Sequence, residues 1–201
     1  LEIEVSTSMV CKSDQDGSFT IPAKKMLEIC NALSAHDEIK ISVTDTKADL
    51  TAGKSKVSLQ IIPAADYPKM ERKESSDAIS IGNDELSNII NKTSFAMAYQ
   101  DARHFLNGLH ICNDEGKLTS VCTDGHRLAK YTSTITCSDD LSIIIPRKCI
   151  IEINRILAAN SDNKEIITEL YINNNSITRV IDDYILISKL IEGNYPNFNK
   201  V

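Results

Sequence analysis

FTIPAKKMLEICNAL, residues Phe19–Leu33, aligns without a gap on IIIPRKCIIEINRIL, residues Ile143–Leu157. The alignment pairs Ile21 with Ile145, Pro22 with Pro146, Lys24 with Lys148, Glu28 with Glu152 and Leu33 with Leu157. In both copies a proline opens a helical pattern, which suits a first turn where its missing N–H would have no intrahelical partner. A second anchor closes each unit, Tyr67-Pro68 in one and Tyr195-Pro196 in the other. The period of about 125 residues is far longer than a short solenoid repeat, so the chain carries a duplicated domain.

Outward from the first copy, Met26, Leu27, Cys30 and Leu33 form the expected apolar stripe of a helix, with Lys24, Glu28 and Asn31 opposite. Strand-like runs follow at Glu38 to Thr44, Ala48 to Ala52 and Ser55 to Ile62, broken at Asp45-Thr46-Lys47 and Gly53. Asp66 to Ser76 is polar and charged, the composition of an interdomain linker. A short strand from Ala78 to Ile81 enters a helix with Leu86, Ile89, Ile90 and Met97 as its apolar face and Asn83 or Asp84 as its N-cap. Strands are expected from His104 to Cys112, Leu118 to Cys122 and Leu128 to Ile135. Leu141 to Ile145 leads into the second proline-started helix, Pro146 to Ala158. Strands near Glu165 to Ile172, Ser176 to Ile181 and Tyr184 to Lys189 come next, with turns at Asn173 to Asn175 and Asp182-Asp183. Each copy thus ends in a strand, a helix and three strands, and Ala78 to Thr134 has a similar order. A domain is then two such half-units, an α+β arrangement of antiparallel sheets with helices on one side, and the chain holds about one and a half domains.

A length of 201 residues allows a substantial core. No apolar run approaches the roughly 18 residues that span a bilayer and no basic leader precedes an apolar segment, so the expected setting is the cytoplasm. The opening Leu1-Glu2-Ile3-Glu4-Val5 alternates like a strand without an initiator methionine, and both ends read as cuts. The six cysteines are scattered with no Cys-x-x-Cys, and most sit in apolar runs, the pattern of buried free thiols. A zinc site from His110, Cys112, Cys122 and His126 fits chemically, although structural zinc usually draws its ligands from tight knuckles rather than mid-strand. A net charge of −6 argues against loose adhesion to nucleic acid but leaves room for a local basic surface.

Such a surface is visible on the helices. With their apolar stripes buried, Lys24 and Asn31, Asn88 and Lys92, and Lys148 and Arg155 fall on outward faces. Carboxylates are few there except Glu28 and Glu152, and gather elsewhere, at Asp14 and Asp16, Glu71, Glu74 and Asp77, Asp139-Asp140 and Asp182-Asp183. A solvated helix face explains any one helix, and agreement between repeats favours a face that sits over phosphates. The stretch Phe95 to Lys130 is harder to explain by packing. Asp124-Gly125 between two alternating runs is a tight-turn signal that puts His126 and Arg127 at a sheet rim, and Tyr99 to Arg103 is a polar break that protrudes. There is no Walker loop and no Gly-rich dinucleotide turn. Ser120, Asp124 and His126 lack the Gly-x-Ser-x-Gly elbow of a hydrolase. No catalysis and no cofactor are therefore expected.

FAMAYQDARHFLNG, then TDGHRLA, IIIPRK and EGNYP, in that order, closely resemble the bacterial DNA polymerase III beta subunit family, the sliding clamps. The resemblance implies a DNA-clamp fold: duplicated domains of antiparallel sheets with helices on the inner face of a closed ring, usually a head-to-tail homodimer. It divides the chain into residues 1–70, the C-terminal half of domain one; 71–195, all of domain two; and 196–201, the start of domain three. It implies a processivity factor that encircles duplex DNA without reading sequence and tethers polymerase and clamp-loader subunits through short peptides. The peptide pocket would use Leu106, Thr123, Gly125, His126, Arg127, Leu128, Pro196, Lys200 and Val201. Apolar Leu106, Leu128, Pro196 and Val201 would receive apolar side chains, while Arg127, His126 and main-chain groups fix polar ends. Lys200 stands where the family often has Arg, which removes a planar bidentate donor. Lys24, Lys92, Tyr99, Gln100, Arg103, Phe105, Lys148 and Arg155 would face DNA. The other readings are a non-catalytic protein-interaction module and the Cys/His zinc-binding domain.

Overall fold

A computed structural model describes residues 1–34, 38–70, 78–137, 140–159, 167–173, 175–181 and 184–200. Outside these lie Val201, Asp139, the carboxylates Glu71, Glu74 and Asp77 with their part of the expected linker, the start of the strand expected from Glu165, the centre of the Asn173 to Asn175 turn, and the turn at Asp182-Asp183. In chain order the elements are β1 (Ile3–Thr7), α1 (Ala23–Ala32), β2 (Lys40–Val43), β3 (Lys47–Ala52), β4 (Ser55–Gln60), β5 (Ala78–Gly82) and α2 (Asn83–Asn91). Then come β6 (Gly108–Asp114), β7 (Lys117–Thr123), β8 (Leu128–Thr136), β9 (Ser142–Pro146), α3 (Arg147–Ala159), β10 (Ile167–Ile172), β11 (Ser176–Ile181) and β12 (Tyr184–Lys189). They form two compact units, one of Val10–Lys69 and one of Leu1–Met9 with Met70–Val201.

In the smaller unit α1 lies on an antiparallel sheet of order β2-β3-β4, with Ala48, Leu50 and Leu59 buried beneath Met26, Ile29, Phe19 and Ile21. The expected stripe is corrected here. Met26 and Ile29 make the contact, whereas Leu27 is 61% exposed and Cys30 is exposed too. Leu27 sits about 100° around the helix from Met26, and the narrow sheet covers only one seam.

The larger unit has a five-stranded sheet of order β1-β12-β11-β10-β5 and a four-stranded sheet of order β8-β7-β6-β9. Every pairing is antiparallel. The leading strand of each half-unit joins the other half's sheet: β5 pairs with β10, and β9 pairs with β6. Between the sheets one core forms from Leu86, Ile89 and Ile90 of α2, Cys149, Ile150 and Ile153 of α3, and inward strand residues including Ile81, Leu109, Leu118 and Leu186. The i, i+3, i+4 spacing of both helices produces this single buried stripe. Buried Arg179 reaches the Ile153 carbonyl and the Asn83 Oδ1, both at 3.5 Å, and burial lowers its pKa to about 10.

Three local expectations are corrected. Gly82, not Asn83 or Asp84, occupies the N-cap position of α2. Asn83 is instead drawn into the core, its Oδ1 accepting a 2.9 Å bond from the Thr168 hydroxyl of β10. Met97 is buried but lies beyond α2, which ends at Asn91; just past that end the Thr93 hydroxyl donates to the Ile89 carbonyl at 2.7 Å. The strand expected from His104 starts at Gly108, after a 3-10 turn over His104–Asn107. The Asn107 side chain causes this by bonding both the amide and the carbonyl of Asp101, which curls the segment. Gly108 then begins the strand where a Cβ would sit 2.6 Å from the Ile144 side chain and 2.8 Å from the Ile145 carbonyl.

Along β6, Leu109 and Ile111 face the core and His110 faces the opposite side of the sheet. That outer side is crossed by residues 190–200, which begin with the Ile191 amide donating to Ile144. No helix among the described residues is long and apolar enough to cross a membrane.

Cys112, Cys122 and Cys149 are buried while Cys11 and Cys30 are exposed. Burial pushes the Cys112 thiol up to about 11 and those of Cys122 and Cys149 to about 12, which suppresses the reactive thiolate. A thiol reagent added to native protein should therefore modify Cys11 and Cys30 first. Peptide mapping should find Cys112, Cys122 and Cys149 modified only after denaturant is added.

Candidate functional site: a groove at the rim of the four-stranded sheet

The β7–β8 connection is organised by one carboxylate. Asp124 Oδ1 accepts from the amides of His126 at 2.9 Å and Arg127 at 3.0 Å, and its Oδ2 accepts from Arg127 Nε at 3.1 Å. These bonds, the His126 amide first, hold the Asp124 pKa below its ordinary value. Thr123 Oγ1 donates to the Arg127 carbonyl at 2.6 Å and accepts from the Gly125 amide at 3.1 Å. Gly125 itself has φ of 89°, the left-handed conformation that glycine adopts without strain. The turn read from Asp124-Gly125 is thus present.

A second carboxylate fixes the adjacent loop. Asp101 takes the Arg103 guanidinium in a two-pronged contact, 3.0 Å from Nε and 2.8 Å from an Nη, and also accepts from the Arg103 amide at 2.8 Å. Arg103, chiefly through its side chain, lowers the Asp101 pKa to about 2, and Asp101 raises that of Arg103. The same guanidinium donates to the Asp124 carbonyl at 3.3 Å and lies 3.1 Å from where a Gly125 Cβ would be.

Between these loops and residues 195–198 lies a cavity of ≈ 410 Å³. Phe105, Leu106, Leu128, Tyr195, Pro196 and Phe198 supply its apolar surface; Arg103, His126 and Arg127 supply charge or polarity, with Thr123 and Gly125 between. Leu106 is 1% exposed and serves as foundation, whereas Leu128 is 37% exposed and available. Such a groove takes apolar side chains of an extended or short helical segment and offers cationic donors to its polar ends.

Seven of the nine residues expected for peptide binding are brought together here: Leu106, Thr123, Gly125, His126, Arg127, Leu128 and Pro196. Lys200 is exposed in the turn Phe198–Lys200 but is not among the lining residues, and Val201 is outside the described residues. Arg103 and Phe105, expected toward DNA, line this cavity, and Asp101 turns the Arg103 guanidinium onto Gly125. Sequence reasoning missed Tyr195 and Phe198 as walls. The i, i+3 aromatic pair around Pro196 was their signal.

The remaining residues expected at DNA are not among the residues that line the cavity. Lys24, Lys92, Tyr99, Gln100, Lys148 and Arg155 are exposed. Lys148 pairs with Glu2, and Arg155 pairs with Glu152 at 2.9 Å. Lys92 Nζ lies 4.3 Å from the Tyr131 ring centre, and the Arg147 guanidinium is 5.5 Å from that of Tyr99. Gln100 has φ of 56°, fixing the loop's bend. Exposed ion pairs of this kind contribute little to stability, so their cations exchange a carboxylate for a phosphate at small cost.

The other chemistries are not assembled. Among the described residues no three His, Cys, Asp or Glu side chains are grouped to hold a metal, so His110, Cys112, Cys122 and His126 form no such site. The Ser120 hydroxyl is turned into the core onto the Ile89 carbonyl, away from exposed His126.

Beneath the groove His110 is 5% exposed. Desolvation lowers its pKa from 6.5 to about 4, so the ring is neutral at pH 7. The unfolded chain takes up this proton near pH 6.5 and the folded chain only near 4, so stability is complete above 6.5 and falls as pH drops through that window. In chemical denaturation, His110→Leu should flatten the loss between pH 7.5 and 5, by about 2 kcal/mol at pH 5.

Family models for the DNA polymerase III beta subunit match this chain, the central domain over residues 80–197 and the N-terminal domain over residues 1–71. The beta sliding clamp of Haemophilus influenzae is 36% identical over 205 residues, covering 100% of this chain and 54% of the relative. The DNA polymerase III subunit beta of Pseudomonas aeruginosa superposes with a TM-score of 0.91 at 33% identity, over 100% of this chain and 55% of its own. The pol III beta of Caulobacter crescentus does so with a TM-score of 0.91 at 30% identity and the same coverage. The chain spans about half the length of the relatives it matches.

Proposed function

Because the chain belongs to the DNA polymerase III beta subunit family, we propose that it is part of a sliding clamp, a non-catalytic processivity factor that works in the cytoplasm. The complete protein closes a homodimeric ring around duplex DNA and tethers polymerase and clamp-loader subunits by short peptides. Residues 1–70, 71–195 and 196–201 are taken as the second half of clamp domain one, all of domain two and the entry to domain three. The observation that carries the tethering role is the groove: an apolar bed with Arg103, His126 and Arg127 around it, on a rim where two carboxylate-organised loops meet. An isolated folded domain gains nothing from leaving Leu128 exposed beside Pro196 and Phe198, whereas a peptide's apolar side chains bury all three.

The DNA role rests on the exposed helix cations. Lys148 and Arg155 project from α3 with acidic partners on flexible, solvated side chains, so phosphates replace those partners without leaving a buried charge. Contact of this kind holds position weakly and carries no sequence preference, which a topologically retained ring requires.

Two experiments test these readings. Titration of a fluorescent peptide bearing adjacent Leu and Phe side chains should show a fall in affinity of at least about tenfold on Leu128→Asp, and a smaller one on Arg127→Ala. Unchanged binding by Leu128→Asp would place the peptide site elsewhere. In the ring-forming full-length protein, reversal of Lys24, Lys148 and Arg155 to Glu should shorten retention on nicked circular DNA at low salt and lose its effect as salt rises. Equal retention by the triple variant would remove these side chains from the DNA face.

A further inference from the structure

The groove's two walls are joined behind the surface that a ligand would touch. Tyr195 stands on one wall and Thr123 on the other. The Thr123 amide donates to the Tyr195 hydroxyl at 2.9 Å, across 72 residues of sequence. The Tyr195 ring in turn lies flat on the His110 imidazole, centroids 4.5 Å apart and planes 11° from parallel, and Phe198 meets the same imidazole edge-on at 6.1 Å. His110 is not among the groove's lining residues. It is buried on the outer side of β6, with Nε2 3.1 Å from the Ser142 hydroxyl on the neighbouring strand, and its Nδ1 has no hydrogen-bonding partner among the described residues. Its polar capacity is half unused, so the ring's flat face is what the site employs. Downstream, Lys130 lies 5.1 Å over the Phe198 ring while bonding Asp114, whose carboxylate also accepts from Asn199 at 3.4 Å. This holds the far end of the crossing segment.

We infer that His110 and Tyr195 are positioning residues for the groove: the imidazole seats the phenol ring, and the phenol oxygen holds the Thr123 amide, so the width between β7 and residues 195–198 is set from beneath. The inference rests on the reading of the groove as a peptide site. A flat aromatic surface at position 110 is the requirement, not its basicity. Leucine there keeps the apolar volume but offers no plane, and phenylalanine restores the plane. Exposed Ser142 can turn its hydroxyl to water in either variant.

The test separates the brace from the peptide site. In amide NMR spectra recorded without ligand, Tyr195→Phe and His110→Leu should both move the Thr123 resonance as its hydrogen bond is lost or lengthened, and His110→Phe should return it toward the wild-type position. With the fluorescent Leu-Phe peptide, the first two variants should bind roughly fivefold more weakly, and His110→Phe should bind within about twofold of wild type. A Thr123 amide that stays in place in Tyr195→Phe overturns the brace. Undiminished peptide affinity in Tyr195→Phe with a displaced amide overturns its role in the groove. If His110→Leu fails to fold, Tyr195→Phe, which keeps the ring and removes only the hydroxyl, decides both points. A wild-type chain that does not bind the peptide sinks the groove reading and the inference's functional half with it, while the ligand-free amide shift still judges the brace.

Discussion

Neither half-unit of the larger body can complete its own sheet. β5 precedes α2 but pairs with β10 from the other half, and β9 precedes α3 but pairs with β6. An unpaired strand edge next to an apolar face is costly, because its N–H and C=O groups must be satisfied before the face can be buried. Exchange of leading strands solves this for both halves at once. It also fixes α2 and α3 over one shared core, since each helix begins directly from a strand already committed to the opposite sheet. Asn83 and Arg179 reinforce the arrangement with bonds between elements 85 and 96 residues apart.

The groove follows from what this core leaves over. The four-stranded sheet buries Leu109 and Ile111 on one side, and on the other presents His110 to residues 190–200. That crossing segment has no regular structure up to Asn197, so it depends on side chains: Tyr195 on His110, Phe198 under Lys130, Asn199 on Asp114. On the rim, Asp101 and Asp124 do equivalent work for the two loops, each neutralising an arginine while accepting backbone amides. The result is a wall set built from three separate parts of the chain, with the charged groups held at the mouth and the apolar ones inside.

The proposed roles place different physical demands on the same body. A peptide groove gains from preorganisation, because every side chain already ordered lowers the entropy lost on binding. A surface for a mobile duplex gains from the opposite, and Lys148 and Arg155 sit in exposed pairs that break and re-form readily. Their carboxylate partners also spread the positive charge, in keeping with a net charge of −6.

Seven residues of the groove were named through the resemblance of their motifs to a known family; the duplication, the order of elements, the helices that follow Pro22 and Pro146 and the Asp124-Gly125 turn were legible in the residues themselves. These are local or periodic features: a proline, an Asx turn or an apolar stripe acts on its immediate neighbours and shows in spacing. The start of β6 at Gly108 was not legible, because it depends on Asn107 bonding back to Asp101 and on the nearness of Ile144. The reduced stripe of α1, with Leu27 left in solvent, depends on how narrow a sheet lies beneath it. The exchange of β5 and β9, the turning of Arg103 onto Gly125 and the stack of Tyr195 on His110 were decided by tertiary structure alone. Each joins residues far apart in the chain, and nothing in local pattern says which distant surface a side chain will meet.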